Sequence, residues 1–329
     1  MHVCANMGEK RKKLAEVARA YYLENNTQAE IAGQLGISRS QVSRYLTEAR
    51  EEGIVQIRIF NESQQNIDIS QKIQKRYPHI KQVLVVPTFE YTPEIIRANI
   101  GRYAANFLIR SLQPGQQLTL GCGRTMEAMV KALPERKISS ISVIQAMGNL
   151  GHEAHKIDYN EIARVAAEKL GGKVHYLSAP AILGKGSGSA GEFLRTNPML
   201  ANALSIAKEA DIFMCGIGSI ESDLVYTRFG LIQPQELQEL KEKAVGDICG
   251  RFFDIQGKEV GTAFEERLIG INLKSIRKAK YAIALAGGAD KAAPLLGAIR
   301  GKFINGFVSD EQTVHSMFAL DDTYPLAKT

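Results

Sequence analysis

Short apolar stripes run through the first sixty residues, separated by residues typical of helix ends. The first stripe recurs at helical spacing and predicts a helix that buries Leu14, Val17, Ala18 and Tyr21. Thr27, with Glu30 three residues later, forms a capping box, which predicts that a second helix begins here. The apolar side of this second helix is assigned to Ala29, Ile31, Ala32 and Leu35.

A glycine turn joins the second helix to a third. Gly36 ends the second helix, and Ile37 follows as an apolar plug between the two. Ser38 is a favourable N-cap for a third helix over residues 39–51. Its inner face is assigned to Val42, Tyr45, Leu46 and Ala49. Two helices joined in this way predict a helix-turn-helix, and the alternative is a three-helix packing module with a solvated outer face.

The outward side of the third helix is polar and carries two arginines close to its start. In a helix-turn-helix this end enters the major groove, where arginine pairs with guanine and glutamine with adenine. Serine and threonine side chains bind phosphate oxygens. The predicted contacts with double-stranded DNA are Thr27, Gln28, Ser38, Arg39, Ser40, Gln41, Ser43, Arg44 and Thr47.

A strand and a polar joint are predicted after the third helix. Gly53 ends that helix, and IVQIRIF at 54–60 alternates in part, which predicts a wing strand with Arg58 near a phosphate. NESQQN at 61–66 is a polar joint. We therefore expect a winged DNA-binding domain over residues 1–60 and a second domain over residues 61–329.

Apolar strands alternate with amphipathic helices through the rest of the chain. A helix is predicted over 67–76, another from Thr92-Pro93, and further helices at 160–170 and 235–243. Strands are predicted at 83–86, 117–120, 142–146, 174–177, 212–216, 248–253, 281–286 and 303–308. This alternation predicts an α/β domain with a mostly parallel sheet that is covered on both faces.

Composition narrows the class of protein. Hydrophobic residues make up 45% and charged residues 23%, as in an ordinary globular protein. No run reaches the ~18 apolar residues of a membrane span, and the first residues lack the apolar run of a signal peptide. The cysteines (Cys4, Cys122, Cys215 and Cys249) have no CxxC pairing, which predicts reduced thiols in a cytoplasmic protein.

The charge permits nucleic-acid binding without demonstrating it. The net charge is +6, yet the first sixty residues hold nine basic and seven acidic side chains. The argument for DNA therefore depends on where the charges fall, and not on their sum.

Four glycine-containing turns lie beside predicted strands. Ligands of such sheets bind beyond the carboxyl ends of the strands, and glycine lets backbone N–H groups curl around an anion. The turns are GCGRT at 121–125, GIGS at 216–219, GDICGRFF at 246–253 and AGGADK at 286–291. Together they predict a small anionic polyhydroxy ligand, whereas each turn alone is equally explained by chain reversal.

Charged groups within these turns have two interpretations as well. Asp247 accepts sugar hydroxyls or caps the local backbone, and Lys291 near a helix start is a point charge for a phosphate. His152 and His155 lack a further metal ligand at suitable spacing, so no metal and no cofactor are expected. GKGSGSAG at 184–191 is predicted to be a flexible loop that either closes over a ligand or serves only as a connection.

These motifs in this order resemble the SorC (SorC/DeoR) family of sugar-responsive bacterial regulators. The resemblance covers nearly the whole chain, from TQAEIAGQLGISRSQVSRYLTEAREEGIVQIRI to AGGADKAAPLLGAIRGKFINGFVSDEQT. GCGRTM, GIGS and AVGDICGRFFDIQGKEV lie between them. The family implies a second domain with a sugar-phosphate-isomerase-like fold, related to glucosamine-6-phosphate deaminase but without its activity.

The resemblance also implies ligands and partners. It implies phosphorylated sugar effectors, and homotetramers or homodimers on operator DNA. The effector-binding residues implied or predicted here are Gly121, Gly123, Arg124, Thr125, Gln145, Gly218, Asp247 and Lys291. Some members place a Schiff-base lysine shortly after the equivalent of Gln145, and this chain has Met147 instead, which argues against a covalent imine. Arg124 and Cys122 stand where many members have smaller or aromatic residues.

The sequence thus predicts a cytoplasmic, non-membrane transcription regulator without catalytic residues. Its operator affinity is expected to respond to a phosphorylated sugar, in the control of a carbohydrate-utilisation operon. One alternative is an enzyme acting on sugar phosphates with the isomerase-like fold. Another is a regulator whose second domain serves only assembly.

Overall fold

The computed structural model describes residues 2–24, 26–55, 67–87, 92–150, 159–187, 191–192, 194, 196–221, 225–228 and 230–325. The chain divides into two compact units, Met1–Gln64 and Gln65–Thr329. Each unit encloses its own apolar core.

The described part of the N-terminal unit contains three helices: α1 (His2–Tyr22), α2 (Gln28–Leu35) and α3 (Arg39–Glu51). The capping box is confirmed, since the Thr27 amide donates to Glu30 Oε2 at 2.8 Å and the Glu30 amide to Thr27 Oγ1 at 3.3 Å. Gly36 closes α2 with a φ of 62°, in the left-handed region where glycine is least strained. The buried core of the unit contains Leu14, Val17, Ala18, Ile31, Val42, Leu46 and Ala49.

The buried side of α2 differs from the prediction at one residue. Ala29 was assigned to the buried side of α2 and is exposed instead, because the helix buries Ile31 and turns Ala29 outward. Residues 54 and 55 form a bend after α3, while residues 56–60 of the predicted wing strand, with Arg58, lie outside the described residues. So does the polar joint at 61–66.

Strands and helices alternate through the described part of the C-terminal unit. The strands are β1 (Gln82–Val86), β2 (Gln117–Leu120), β3 (Ser142–Gln145), β4 (Lys173–His175), β5 (Ile212–Gly216), β6 (Gly218–Ser219), β7 (Gly246–Ile248), β8 (Arg251–Phe253), β9 (Tyr281–Ala286) and β10 (Gly306–Asp310). The helices are α4 (Ile67–Arg76), α5 (Pro93–Ser111), α6 (Arg124–Ala132), α7 (Tyr159–Leu170), α8 (Pro198–Lys208), α9 (Val225–Arg228), α10 (Pro234–Lys243), α11 (Ala263–Glu266), α12 (Leu273–Ile276), α13 (Ala292–Arg300) and α14 (Glu311–Thr323). A short 3₁₀ helix, Ala289–Lys291, precedes α13.

Seven of these strands form one sheet in the order β1-β10-β9-β5-β2-β3-β4. Every neighbouring pair in it is parallel. β6, β7 and β8 form a second, antiparallel sheet. The predicted α/β fold with a mostly parallel sheet is therefore confirmed.

Helices cover both faces of the large sheet. One core contains buried residues of α5, α6 and α7 together with Val143. The other contains buried residues of α4, α13 and α14 together with Ile144, the next residue of the same strand. Adjacent residues of β3 thus point into opposite cores, as the pleat of a doubly covered strand requires.

The apolar segment 248–253 was predicted to be one strand, and this prediction is wrong. It belongs to a hairpin in which β7 and β8 pair antiparallel around a turn at Cys249 and Gly250. Both turn residues have positive φ, 52° and 80°, a conformation that an apolar pattern does not reveal. Two other strands differ in length or position: β4 ends at His175 instead of residue 177, and β10 spans 306–310 instead of 303–308.

No helix in the described residues is both long and apolar enough to cross a membrane.

Candidate DNA-binding and effector sites

A topological switch point lies at the middle of the large sheet. From β2 the chain proceeds outward through β3 to β4, and then returns to the other side of β2 to form β5. Ligands of open α/β sheets bind in the crevice outside the carboxyl ends of the strands at such a point. GCGRT follows β2 and GIGS follows β5, so two of the predicted glycine turns flank this crevice.

The other two turns reach the same edge of the sheet. AGGADK follows β9, which is the parallel neighbour of β5. The 246–253 hairpin reaches this edge through β7, because Asp247 pairs with Gly218 of β6 directly after β5. The structure therefore brings all four sequence-predicted turns together at one edge.

The GCGRT turn exposes the start of a helix. Gly123 has a φ of 122°, and a Cβ at this position would meet no heavy atom within 4 Å. It precedes α6, whose first turn receives no side-chain cap. An uncapped helix start leaves backbone N–H groups for an anion, and the helix dipole favours negative charge there. Arg124 is exposed and Thr125 half-buried beside these groups.

Gly121 has a different role in the same turn. A Cβ on Gly121 would lie 2.8 Å from Cys215 Cβ and 3.2 Å from Cys249 Sγ. Glycine is therefore required for β2 and β5 to approach each other at the crevice. Burial raises the pKa of the neighbouring Cys122 thiol to about 12, so this thiol is protonated at neutral pH.

The AGGADK turn is fastened to the start of α14. The Gly288 amide donates to Asp310 Oδ2 and to Thr313 Oγ1, both at 2.9 Å. Asp310 is also the N-cap of α14, since its Oδ1 accepts the Thr313 amide at 3.0 Å. Lys291 is the N-cap residue of α13, and its Nζ lies 2.9 Å from Asp290 Oδ2.

Asp247 is a buried carboxylate at this edge of the sheet. It accepts the Gly250 amide at 2.7 Å and the Tyr226 hydroxyl at 3.2 Å. Burial raises the pKa of Asp247, while these two bonds and the nearby charge of Lys291 act in the opposite direction. A Cβ on Gly218 would lie 1.8 Å from Asp247 Oδ1, so Gly218 is required for the carboxylate to fit.

Gln145 is buried and held on both sides. Its Nε2 donates to Asn160 Oδ1 at 2.9 Å, and its Oε1 accepts the Leu177 amide at 2.8 Å. It lines a space of only about 10 Å³ beside Gly121 and Cys122. Gln145 thus fixes the ends of β3 and β4 to α7 in this structure.

A larger cavity lies on the far side of Gln145. Its volume is about 700 Å³, and its lining residues were not predicted from the sequence, because none belongs to a glycine turn. The described lining carries amide, hydroxyl and aromatic groups and no charged side chain: Asn149, Leu150, Asn160, Tyr176, Leu177, Ser178, Ala179, Pro180, Ile182 and Leu231. The polar residues follow β3 and β4 or begin α7, and proximity to Gln145 was the only signal that pointed toward them.

Eight of the nine predicted DNA-contacting residues fall into two groups, and the ninth, Gln28, is half-buried at the start of α2. Thr27 and Ser38 use their hydroxyls to cap α2 and α3, and Gln41 donates to the Tyr45 hydroxyl at 3.1 Å. Arg39, Ser40, Ser43, Arg44 and Thr47 are exposed on α3. Arg44 Nε lies 3.7 Å from Glu48, a partner that an exposed arginine exchanges readily because such pairs are weak.

Comparison with known proteins identifies the family to which this chain belongs. Residues 61–319 match the family described as "Putative sugar-binding domain", and residues 24–56 match a winged helix-turn-helix DNA-binding family. This chain belongs to the SorC family of transcriptional regulators.

Similar regulators support this membership along the whole chain. The chain is 28% identical to the deoxyribonucleoside regulator of Bacillus subtilis (strain 168), over 94% of this chain and 98% of the relative. It is 30% identical to transcriptional regulator LsrR of Klebsiella pneumoniae subsp. pneumoniae, over 93% of each protein. The crystal structure of the full-length sorbitol operon regulator SorC from Klebsiella pneumoniae matches with a TM-score of 0.73 and 28% identity, over 93% of this chain and 98% of that chain.

As a SorC-family member, the chain combines a helix-turn-helix with a sugar-binding domain. Like these relatives, it is a transcriptional regulator and not an enzyme. Among the described residues, no group of three His, Cys, Asp or Glu side chains could hold a metal. His152 and His155 lie outside the described residues, as do residues 188–190 of the glycine-rich loop.

Proposed function

We propose that this regulator binds operator DNA with an affinity controlled by a small phosphorylated sugar. The observation that carries the proposal is the uncapped start of α6, which directly follows Gly123. It lies at the edge of the sheet that also holds Lys291 and Asp247. An uncapped helix start suits a phosphate, and a buried carboxylate with a nearby lysine suits sugar hydroxyls and the charge of the ester.

The two parts of the proposed site suit a ligand with one charged end and one neutral end. In the proposal, Gly121, Gly123, Arg124 and Thr125 hold the phosphate, with Lys291 facing it. Asp247, Gly218 and Gln145 border the sugar. The described lining of the 700 Å³ cavity has no charged side chain, which favours a monophosphate with a neutral far end over a bisphosphate. Binding is reversible and non-covalent, because Met147 has no amine that could form an imine.

The N-terminal domain, residues 1–60, reads the operator in this proposal. Exposed Arg39 and Arg44 contact bases or phosphates near the start of α3, with Ser40, Ser43 and Thr47 beside them. Gln28 and Gln41 contribute amides, and Thr27 and Ser38 place the two helix starts against the backbone phosphates.

The remaining domain, residues 61–329, senses the effector and holds a homodimer or homotetramer together in the cytoplasm. Relatives named for the sorbitol operon and for deoxyribonucleosides suggest the control of a carbohydrate-utilisation operon.

A thermal-unfolding screen tests the effector directly. Pentose and hexose phosphates are compared with the corresponding free sugars on the full chain. We expect one phosphate ester to stabilise the protein by about 2.7 kcal/mol at 100 times its dissociation constant, while its free sugar has no effect. Lys291→Ala should lose the stabilisation, whereas Lys208→Ala, an exposed lysine at the end of α8, should keep it. If none of the esters stabilises the protein, the result would favour a second domain that serves only assembly.

A further inference from the structure

Two helices that begin at the sheet edge carrying the glycine turns end at the same cluster of charged side chains. α13 begins behind Lys291, its N-cap, and ends at Arg300. α14 begins behind Asp310 and carries Asp321 in its last turn. The two helices pack against each other and run roughly 14 Å and 20 Å, at 1.5 Å per residue.

The starting ends of both helices are joined by hydrogen bonds. Gly288 donates to Asp310 and Thr313, and Thr313 Oγ1 also lies 3.1 Å from the Gly288 carbonyl oxygen. Thr313 and Asp310 are fully buried or nearly so. A ligand that displaces the 287–291 turn therefore has to change the bonds at the start of α14.

The far ends meet at Asp321. Its carboxylate accepts Arg300 Nη2 and Arg76 Nη1, both at 2.7 Å, and the Tyr77 hydroxyl at 2.5 Å. The Arg300 side chain is 0% exposed and the Asp321 side chain 6% exposed. Burial alone would raise the pKa of Asp321, but these three bonds outweigh it and hold the pKa below its ordinary value, so Asp321 is ionised at neutral pH.

The cluster also holds α4. Arg76 is the last residue of this helix and Tyr77 follows it, and the rest of α4 packs on the sheet core through Ile69 and Ile73. α4 is the first helix of the C-terminal unit, next in sequence to residues 56–66, which connect it to the helix-turn-helix. Within this cluster only the Arg300–Asp321 ion pair is buried, whereas the Arg76 side chain is 43% exposed. Burying an ion pair costs desolvation, so the pair does not by itself indicate a gain in stability.

We propose that the cluster of Arg76, Tyr77, Arg300 and Asp321 couples the 287–291 turn to α4. In this proposal, α13 and α14 transmit a displacement of the turn to the cluster. A change at Gly288 shifts the start of α14, and the shift reaches α4 through Asp321 and Arg300. The coupling is a property of the C-terminal unit itself, and only its use in controlling DNA rests on the proposed function.

Hydrogen exchange of the full chain tests the coupling without any effector. Thr313→Val removes the hydroxyl that binds Gly288, at nearly constant volume. We expect amide exchange in residues 67–76 to quicken at least about threefold, the size of a modest coupling between residues of one network. In a chain that also carries Arg76→Gln and Tyr77→Phe, Thr313→Val should leave exchange in 67–76 unchanged relative to that background.

A matched control separates coupling from general loosening. Thr119→Val removes another buried threonine hydroxyl. Thr119 lies on β2, away from α13 and α14, and its hydroxyl donates to the carbonyl oxygen of Ala207 on α8. Its effect on exchange should be confined to its own surroundings in β2 and α8, and exchange in 67–76 should not quicken. An unchanged α4 in Thr313→Val, or the same acceleration in Thr119→Val or in the triple variant, would overturn the proposal.

Inorganic phosphate provides a second arm. In the wild-type chain, phosphate should slow exchange in residues 287–291 and in 67–76, and in the chain with Arg76→Gln and Tyr77→Phe only in 287–291. Protection of 287–291 without any change in wild-type α4 also contradicts the coupling. If phosphate protects neither residues 121–125 nor residues 287–291, the proposed phosphate site is wrong, while the Thr313→Val comparison still decides the coupling.

Discussion

At the scale of single residues, the site combines groups that are costly to bury with glycines that make room for them. Asp247 lies against Gly218, and its burial raises its pKa although Gly250 and Tyr226 both donate to it. A carboxylate kept in such surroundings is typical of a functional group that is retained at the expense of stability. The sequence placed Asp247 beside the site, but its burial depends on the hairpin and could not be predicted.

Asp247→Asn should therefore stabilise the unliganded protein by roughly 0.5–2 kcal/mol at neutral pH, because the buried charge is gone. The same change should abolish stabilisation by the sugar phosphate. Thermal unfolding with and without the ligand measures both effects.

The pH dependence of this difference has a defined sign. The pKa of Asp247 is higher in the folded than in the unfolded chain, so the charge destabilises the fold above the folded pKa. This cost disappears as the pH falls below the unfolded value. The advantage of Asp247→Asn should accordingly shrink toward pH 4, and an advantage that grows in acid would contradict this account of Asp247.

At the scale of helices and strands, local signals predicted most starts and several ends. The capping box at Thr27, Pro93 at the start of α5, and the bounds of α4, β2, β5 and β9 agree with the structure. The hairpin at 246–253 was missed because its turn uses Cys249, a non-glycine residue with positive φ. Nothing in an apolar run distinguishes one buried strand from two short ones joined by such a turn.

The exposed side of α3 carries a prediction at this scale. Arg44→Ala should weaken operator binding by about 1–3 kcal/mol, because its guanidinium is exposed near the start of the recognition helix. Arg19→Ala is a matched control, since Arg19 is an exposed arginine of α1 paired with Glu24 at 3.5 Å. Fluorescence anisotropy with DNA from upstream of the protein's own operon compares the two. Equal binding by wild type and Arg44→Ala would exclude Arg44 from the DNA interface.

At the scale of the whole molecule, the order of the strands determines where the residues of the candidate effector site come together. The sequence predicted the glycine turns and an α/β fold, but the switch between β2 and β5 arises from long-range pairing that local patterns do not contain. The 700 Å³ cavity and the cluster at Asp321 were unforeseen for the same reason, since Arg76 and Asp321 are 245 residues apart in sequence. Family resemblance supplied the function of the fold, and the side-chain contacts supply its proposed mechanism.

The most direct test of the central claim is a titration of operator DNA with the full-length protein, with and without the stabilising sugar phosphate. We expect the phosphate ester to change the operator dissociation constant at least fivefold, within the usual range of allosteric coupling, and the free sugar to leave it unchanged. Lys291→Ala should bind the operator but lose this response. An operator affinity that is the same with and without the ester would contradict the account, because a bound ligand that does not alter DNA affinity is not an effector.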